Sequence, residues 1–137
     1  MKNFFKKVIL FPRSLILNAR SFFSQEFFKK NIVRWLLGVS LLANIADWVV
    51  LKIFIKSVDF PIILHYNVYF GVDMLGDWKR VFFLPLIGII LIIINLFLAI
   101  YFFNRQERIA SYLLLMAILM IQLSLVISSV SLIVINY

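Results

Sequence analysis

The sequence predicts an all-α membrane protein with three transmembrane helices, a basic amphipathic interfacial helix before them, and one structured extracytoplasmic loop. Of 137 residues, 64% are apolar or aromatic and 15% are charged, which is too hydrophobic for an ordinary water-soluble domain. Three apolar stretches, residues 33–55, 81–103 and 109–135, are each long enough to cross the hydrocarbon core. Because a backbone in lipid must satisfy its own hydrogen bonds, stretches without strand-like alternation indicate helices rather than a β-barrel.

Residues 1–32 form the predicted interfacial segment. Apolar side chains recur at helical spacing from Phe4 to Phe22 and give one stripe flanked by basic residues, which is typical of a helix lying on an anionic leaflet. We expect Pro12 to divide this helix into a short and a longer piece. A disordered basic tail is the alternative. The expected lipid-surface residues are Lys2, Lys6, Lys7, Arg13, Arg20, Lys29, Lys30 and Arg34.

The distribution of charge predicts the orientation. The chain up to Arg34 holds eight of the 14 basic residues but one acid, Glu26, and the positive-inside rule places such a segment in the cytoplasm. The connection 104–108, with its two arginines, is then the cytoplasmic loop, whereas residues 56–80 carry no net charge and form the extracytoplasmic loop. We therefore expect a multi-pass protein of the cytoplasmic (inner) membrane, with its N-terminus inside and its C-terminus outside.

The extracytoplasmic loop holds the candidate partner-binding residues. Residues 63–70 have strand-like composition, and glycines follow as turn signals. One histidine and two aspartates could bind a metal ion, but they lack helical ligand spacing. We favour a compact cap in which His65 and Asn67 hydrogen-bond the loop backbone. The predicted loop site comprises His65, Tyr66, Asn67, Gly71, Asp73, Gly76 and Asp77.

A characteristic order of residues runs through this loop into the next span: Pro61, His65, Tyr66, Asn67, Gly71, Asp73, Gly76, Lys79 and Pro85. It resembles an uncharacterised bacterial membrane-domain family with the approximate pattern Pro-x-His-[Phe/Tyr]-Asn-x-x-Gly-x-x-Asp-x-x-Gly-Ser-Lys. That pattern occurs in SdpI-type immunity and signalling proteins, among others. The resemblance, confined to residues 61–85, implies a small bacterial membrane protein with an extracytoplasmic His-Asn loop. It brings no established enzymatic activity with it.

Polar residues inside the spans are the second candidate site. A carboxylate within a span costs roughly 2.5 to 3.5 kcal/mol on insertion scales, so Asp47 and the helix face it shares with Asn44 should pack against other helices. Asn44, Asn95 and Gln122 fall near mid-bilayer and could form a polar layer. We favour interhelical hydrogen bonding for these residues, and a proton or ion step at Asp47 is the alternative.

The third span has two candidate contact faces. Gln122 and Ser129 lie nearly opposite a stripe of small residues, and small residues let helices approach closely. Two contact faces on one outer helix suggest a neighbour beyond this chain, although a lipid-facing Gln122 is an alternative. The stripe consists of Ala110, Ala117, Ser124, Ser128 and Ser131.

The amino-acid composition limits the kinds of catalytic and metal-binding site that the chain can form. The chain has no cysteine and one histidine, which excludes disulfides, thiolate nucleophiles, cysteine-based zinc sites and histidine-pair metal sites. No nucleophile–base pair is visible, so we expect no enzymatic activity, no cofactor and no bound metal. The expected partners are anionic lipids of the inner leaflet and another membrane protein or a second copy, rather than nucleic acid.

These observations predict a non-enzymatic accessory, sensor or immunity-type component of the membrane that acts through its extracytoplasmic loop. The alternative is a subunit of a small transporter, or of an ion or proton channel, that uses Asp47.

The absence of native cysteine makes the orientation testable by single-cysteine labelling. In intact cells, a membrane-impermeant maleimide should react with Val68→Cys in the outer loop. It should react with Gln106→Cys in the short inner loop only after the membrane is permeabilised. Labelling of position 106 but not of position 68 in intact cells would reverse the predicted topology.

Overall fold

The computed structural model describes residues 26–136 and contains the three predicted long apolar helices, each long and apolar enough to cross a membrane. Of the predicted interfacial segment, residues 26–32 are described and the rest lie outside the described part. The elements, in chain order, are α1 (Glu26–Lys29), α2 (Asn31–Phe54), β1 (Ile62–Asn67), β2 (Gly71–Gly76), a 3-10 helix (Trp78–Phe82), α3 (Phe83–Asn104) and α4 (Arg108–Asn136).

Helices α3 and α4 form a closely packed antiparallel pair. They are joined by residues 105–107, a turn tight enough that Gln106 adopts a positive φ of 66°. Near this turn the Ser111 hydroxyl donates a hydrogen bond of 2.8 Å to the carbonyl of Ala99. A small polar side chain at this position therefore lets the two backbones approach and links them directly.

Helix α2 is joined to this pair by a cluster of buried amides, which we call the amide cluster: Asn44, Gln122 and the carbonyls of Pro85 and Gly88. The Asn44 Nδ2 donates to the Pro85 carbonyl and to the Gln122 Oε1, both at 3.0 Å, and the Gln122 Nε2 donates to the Gly88 carbonyl at 3.0 Å. In lipid the hydrophobic effect contributes little to helix association, so hydrogen bonds of this kind contribute much of the attraction between the helices.

The connection between α2 and α3 contains an antiparallel hairpin, so the all-α prediction is incomplete. Strands β1 and β2 pair from Ile62 with Gly76 at one end to Asn67 with Gly71 at the other, and residues 68–70 join them. Gly71 has a φ of +77°, which favours glycine. The sequence signals β1 but not β2, because β2 begins and ends with glycine, which disfavours a strand, and is defined by its pairing with β1.

The hairpin is held against the helix ends at its base. The N–H of Ile63 donates to the Asn136 Oδ1 at 2.9 Å, and the Asn136 Nδ2 donates back to the Ile63 carbonyl at 2.8 Å. At the start of α3, Trp48 of α2 stacks on Phe82 with ring centroids 5.8 Å apart. A small apolar core joins α2, the hairpin and the 3-10 helix, and it consists of Leu51, Ile55, Ile62 and Val81.

The structure distinguishes the two candidate faces of α4. The face with Gln122 and Ser129 is buried inside the chain, so Gln122 does not face lipid. Most of the small-residue stripe is exposed, and its serine hydroxyls donate to carbonyls four residues earlier in the same helix. Serine can satisfy its hydroxyl in this way without a neighbouring helix. The exposed members are Ala117, Ser124, Ser128 and Ser131.

The amide cluster requires a residue without a side chain at position 88. A Cβ on Gly88 would lie 2.6 Å from the Asn44 Nδ2 and 2.8 Å from the Gln122 Oε1. Gly88→Ala should therefore lower the free energy of unfolding by roughly 1 to 3 kcal/mol. Thermal unfolding in mild detergent, followed by circular dichroism, measures this change.

Gly38→Ala is the matched control, since a Cβ on Gly38 has nothing within 4 Å. It should leave the stability unchanged or raise it, because alanine has the higher helix propensity. Equal stability of the Gly88 and Gly38 variants would show that the amide cluster does not hold the helices together.

Candidate functional site

The hairpin between α2 and α3 is buried at its base and exposed at its end. Ile62, at the base, is 4% exposed, whereas Val68, Tyr69 and Phe70 are 85%, 91% and 85% exposed. We call these three residues the hairpin tip. Three consecutive large apolar side chains with this exposure are unusual in a turn, where polar residues and glycine prevail. They supply the apolar anchors that a binding surface needs.

The backbone on both sides of the tip is fixed. The Asn67 Oδ1 accepts a hydrogen bond of 2.9 Å from the N–H of Tyr69, which confirms that Asn67 bonds the loop backbone. Gly71 supplies the positive φ that returns the chain into β2. The tip is therefore presented by a defined turn, and less conformational entropy is lost when such a surface binds a partner.

His65 does not bond the loop backbone as predicted. Its Nδ1 lies 2.7 Å from the Asp73 Oδ1 on the facing strand, and the two side chains are 62% and 44% exposed. An exposed pair of this kind contributes little, roughly 0 to 1 kcal/mol. A histidine near a glycine turn does not reveal from sequence whether its partner is backbone or side chain, so the predicted backbone bond of His65 is wrong.

Asp77 lies apart from that pair. Its Oδ1 accepts from the N–H of Lys79 at 2.9 Å and begins the 3-10 helix. His65, Asp73 and Asp77 therefore do not converge as a metal site would require. Within residues 26–136, no group of three or more His, Asp or Glu is placed to hold a metal ion. Of the other predicted loop residues, Tyr66 is exposed and Gly76 ends β2.

Two features of the hairpin were missed by sequence reasoning. For the tip residues Val68 and Phe70 the sequence does contain a signal, because these residues extend an apolar run past Asn67 to a glycine. For Asn136 the sequence contains no such signal, since its contact with Ile63 joins positions far apart in the chain. A polar residue at the end of an apolar helix is ordinary by itself.

The predicted intramembrane polar layer is only partly formed. Asn44 and Gln122 meet in the amide cluster, but Asn95 does not join them. Its Nδ2 donates to the carbonyl of Leu91 in its own helix at 3.0 Å. An asparagine can satisfy part of its hydrogen-bonding capacity in this way, so its depth in the membrane does not predict which residue it bonds.

Asp47 is the exceptional member of this group. It is 1% exposed, and its two carboxylate oxygens make no hydrogen bond within the described residues. Ser129 of α4 faces it and interacts with the carboxylate, but neither side chain makes a hydrogen bond of ordinary geometry. Buried polar groups are ordinarily paired, and the exceptions gather at functional sites. Asp47 and Ser129 therefore form a second candidate site, between α2 and α4.

The predicted lipid-surface residues are described only in part. Lys29 and Arg34 are exposed, and Lys30 is half-buried. Arg34 donates to the Asn31 Oδ1 at the start of α2. The remaining residues of this group, which lie outside the described residues, are Lys2, Lys6, Lys7, Arg13 and Arg20.

Comparison with known proteins finds no match to a protein-family model, to a curated protein or to a solved structure. The resemblance of residues 61–85 to an immunity and signalling family therefore stays a prediction.

Proposed function

We propose that the protein is a non-enzymatic interaction component of a bacterial cytoplasmic membrane, of an accessory, sensor or immunity type, which binds a partner protein through its extracytoplasmic hairpin. The observation that carries this proposal is the hairpin tip. Three large apolar side chains are presented together at the end of a defined turn. Exposed apolar clusters of this kind are typical of interaction sites.

Two features support a protein partner for the tip. The tip is apolar, yet the strands behind it carry the hydrogen-bonded pair of His65 and Asp73. An apolar centre beside a polar margin is the usual anatomy of a protein interface. The base is also joined to all three long helices or their ends, so a partner bound at the tip is connected mechanically to the membrane-spanning part.

Replacing Tyr69 and Phe70 by serine tests this proposal. A photocrosslinking amino acid at position 68 should form a discrete crosslink to one protein in living cells. The double variant should weaken that interaction by roughly a thousandfold, because two aromatic anchors that contribute about 2 kcal/mol each add to about 4 kcal/mol. Immunoblotting of the crosslinked band measures the loss.

Phe60→Ser is the matched control, since Phe60 is 66% exposed but lies outside the hairpin. It should leave the crosslink unchanged. Crosslinks to lipid alone, with no protein crosslink at position 68, would show that the tip inserts into the membrane and would overturn the proposal.

A second candidate function rests on Asp47. A carboxylate that is buried beside a hydroxyl between two membrane-spanning helices, without a hydrogen bond of ordinary geometry, can accept a proton or a small cation. We propose, as the alternative, that the chain is a subunit of a small transporter or of an ion or proton channel. Oligomerisation would then be needed to complete a path, because three helices enclose little space for water.

Asp47→Asn separates this alternative from a structural role. Wild-type protein in liposomes should collapse an imposed proton gradient, and the variant should behave as empty vesicles do. Its stability in detergent should rise by roughly 1 kcal/mol or more, because an unpaired buried carboxylate is removed. Asp59→Asn is the control, since it makes the same charge change at an exposed loop position. Absence of flux with wild-type protein would exclude a proton path.

A further inference from the structure

A groove lies where the hairpin meets the outer surface of α3 and α4. It has a volume of about 630 Å³ and is open to the surroundings of the helices. The hairpin forms one wall and the two helices form the other, and its single charged lining residue is Arg80 of the 3-10 helix. We call it the arginine groove, and its principal lining residues are Leu64, Met74, Arg80, Leu84, Ile87 and Leu132.

Arg80 is positioned by its local structure. The N–H of Arg80 donates to the Asp77 carbonyl at 3.0 Å, in the turn that Asp77 begins. The side-chain stem passes close to Gly76, where a Cβ would lie 3.4 Å from the Arg80 Cδ. The arginine therefore lies along the hairpin base at the rim of the groove. Within residues 26–136, Arg80 forms no ion pair, so its charge is available to a ligand.

The remaining walls of the groove are apolar and continue into the membrane-facing surface. Ile87, one helical turn beyond Phe83 on α3, is 46% exposed, and Leu132 of α4 lines the other side. A ligand for this groove must carry an anionic group at the rim and a long apolar part below it. The guanidinium geometry suits a phosphate, to which arginine can donate two parallel hydrogen bonds.

We propose that the arginine groove binds one glycerophospholipid from the leaflet at the hairpin end of the helices. The phosphodiester lies at Arg80, and an acyl chain lies along Leu84, Ile87 and Leu132. The hairpin wall, with Leu64 and Met74, covers the upper part of the chain. This lipid site is distinct from the hairpin tip and does not depend on the partner proposed for it.

The lipid also fills space that the fold leaves open beneath the hairpin. The base of the hairpin is bonded to α4 through Ile63 and Asn136 on one side, and the groove lies beside that attachment. A bound acyl chain would extend the apolar contacts of Leu64 from the core into the groove. Lipid binding therefore stabilises the position of the hairpin against α3 and α4.

Native mass spectrometry of delipidated protein in mild detergent tests the site. Dioleoyl phosphatidylglycerol should bind as a single adduct, and dioleoylglycerol, which has the same chains and no phosphate, should bind much more weakly. Arg80→Gln should weaken phosphatidylglycerol binding by about tenfold, the expected effect of losing a charge-assisted hydrogen bond. Arg80 is exposed, so the variant should keep the helical circular dichroism of the wild type.

Lys79→Gln is the matched charge control. The Lys79 Nζ lies 5.6 Å from the Trp78 ring centroid, and the side chain does not line the arginine groove. This variant should bind phosphatidylglycerol as the wild type does. Leu84→Trp, which fills the groove below the arginine, should reduce binding while Arg80 is intact.

Three outcomes would overturn the proposal. Equal losses in the Arg80 and Lys79 variants would indicate general attraction to anionic lipid rather than a site. Equal binding of dioleoylglycerol and phosphatidylglycerol would show that the phosphate is not recognised. A lipid-free dimer that Leu84→Trp dissociates would show that a second copy of the chain, and not a lipid, occupies the groove.

Discussion

The hydrogen bonds that Asn44 donates to the Gln122 Oε1 and to the Pro85 carbonyl hold α2 to the other two long helices. Surrounded by lipid, apolar side chains gain little by leaving one apolar environment for another, so burial of leucine and isoleucine by itself does little to select how these helices pack. The amides add specificity, because an unpaired amide in hydrocarbon is costly. Gly88 allows this arrangement by leaving space for both amide groups beside its carbonyl.

The amide cluster also determines which side chains Asp47 faces. Asn44 precedes Asp47 by about one helical turn, so the face that brings Asn44 to Gln122 also turns Asp47 towards Ser129. The cluster is satisfied, whereas the carboxylate and the hydroxyl beside it are not. A fold optimised only for stability would place an apolar residue at position 47, because burial of an unpaired carboxylate opposes folding. The stabilising hydrogen bonds of this face are those of Asn44, and Asp47 adds no ordinary hydrogen bond to them.

The sequence predicts the parts of this structure that depend on local pattern. Three apolar runs predict three helices, and the face of α2 with Asn44 and Asp47 is buried as its spacing indicates. Long-range contacts were not predictable, since nothing near Asn136 specifies Ile63 and nothing in β2 alone specifies a strand. Asn95 shows the same limit, because a polar residue can bond its own helix instead of the neighbour that its depth suggests.

The pairing of Asn136 with Ile63 has a consequence for the order of assembly. The hairpin is synthesised before α3 and α4, but the side chain that fixes its base lies at the far end of α4. During biosynthesis the hairpin is made before this attachment can form, and the attachment forms only after α4 has inserted across the membrane. Full attachment of the hairpin base therefore requires that α4 has inserted. A chain with a misinserted α4 would lack this attachment, and its hairpin would be held only by the apolar contacts of its base.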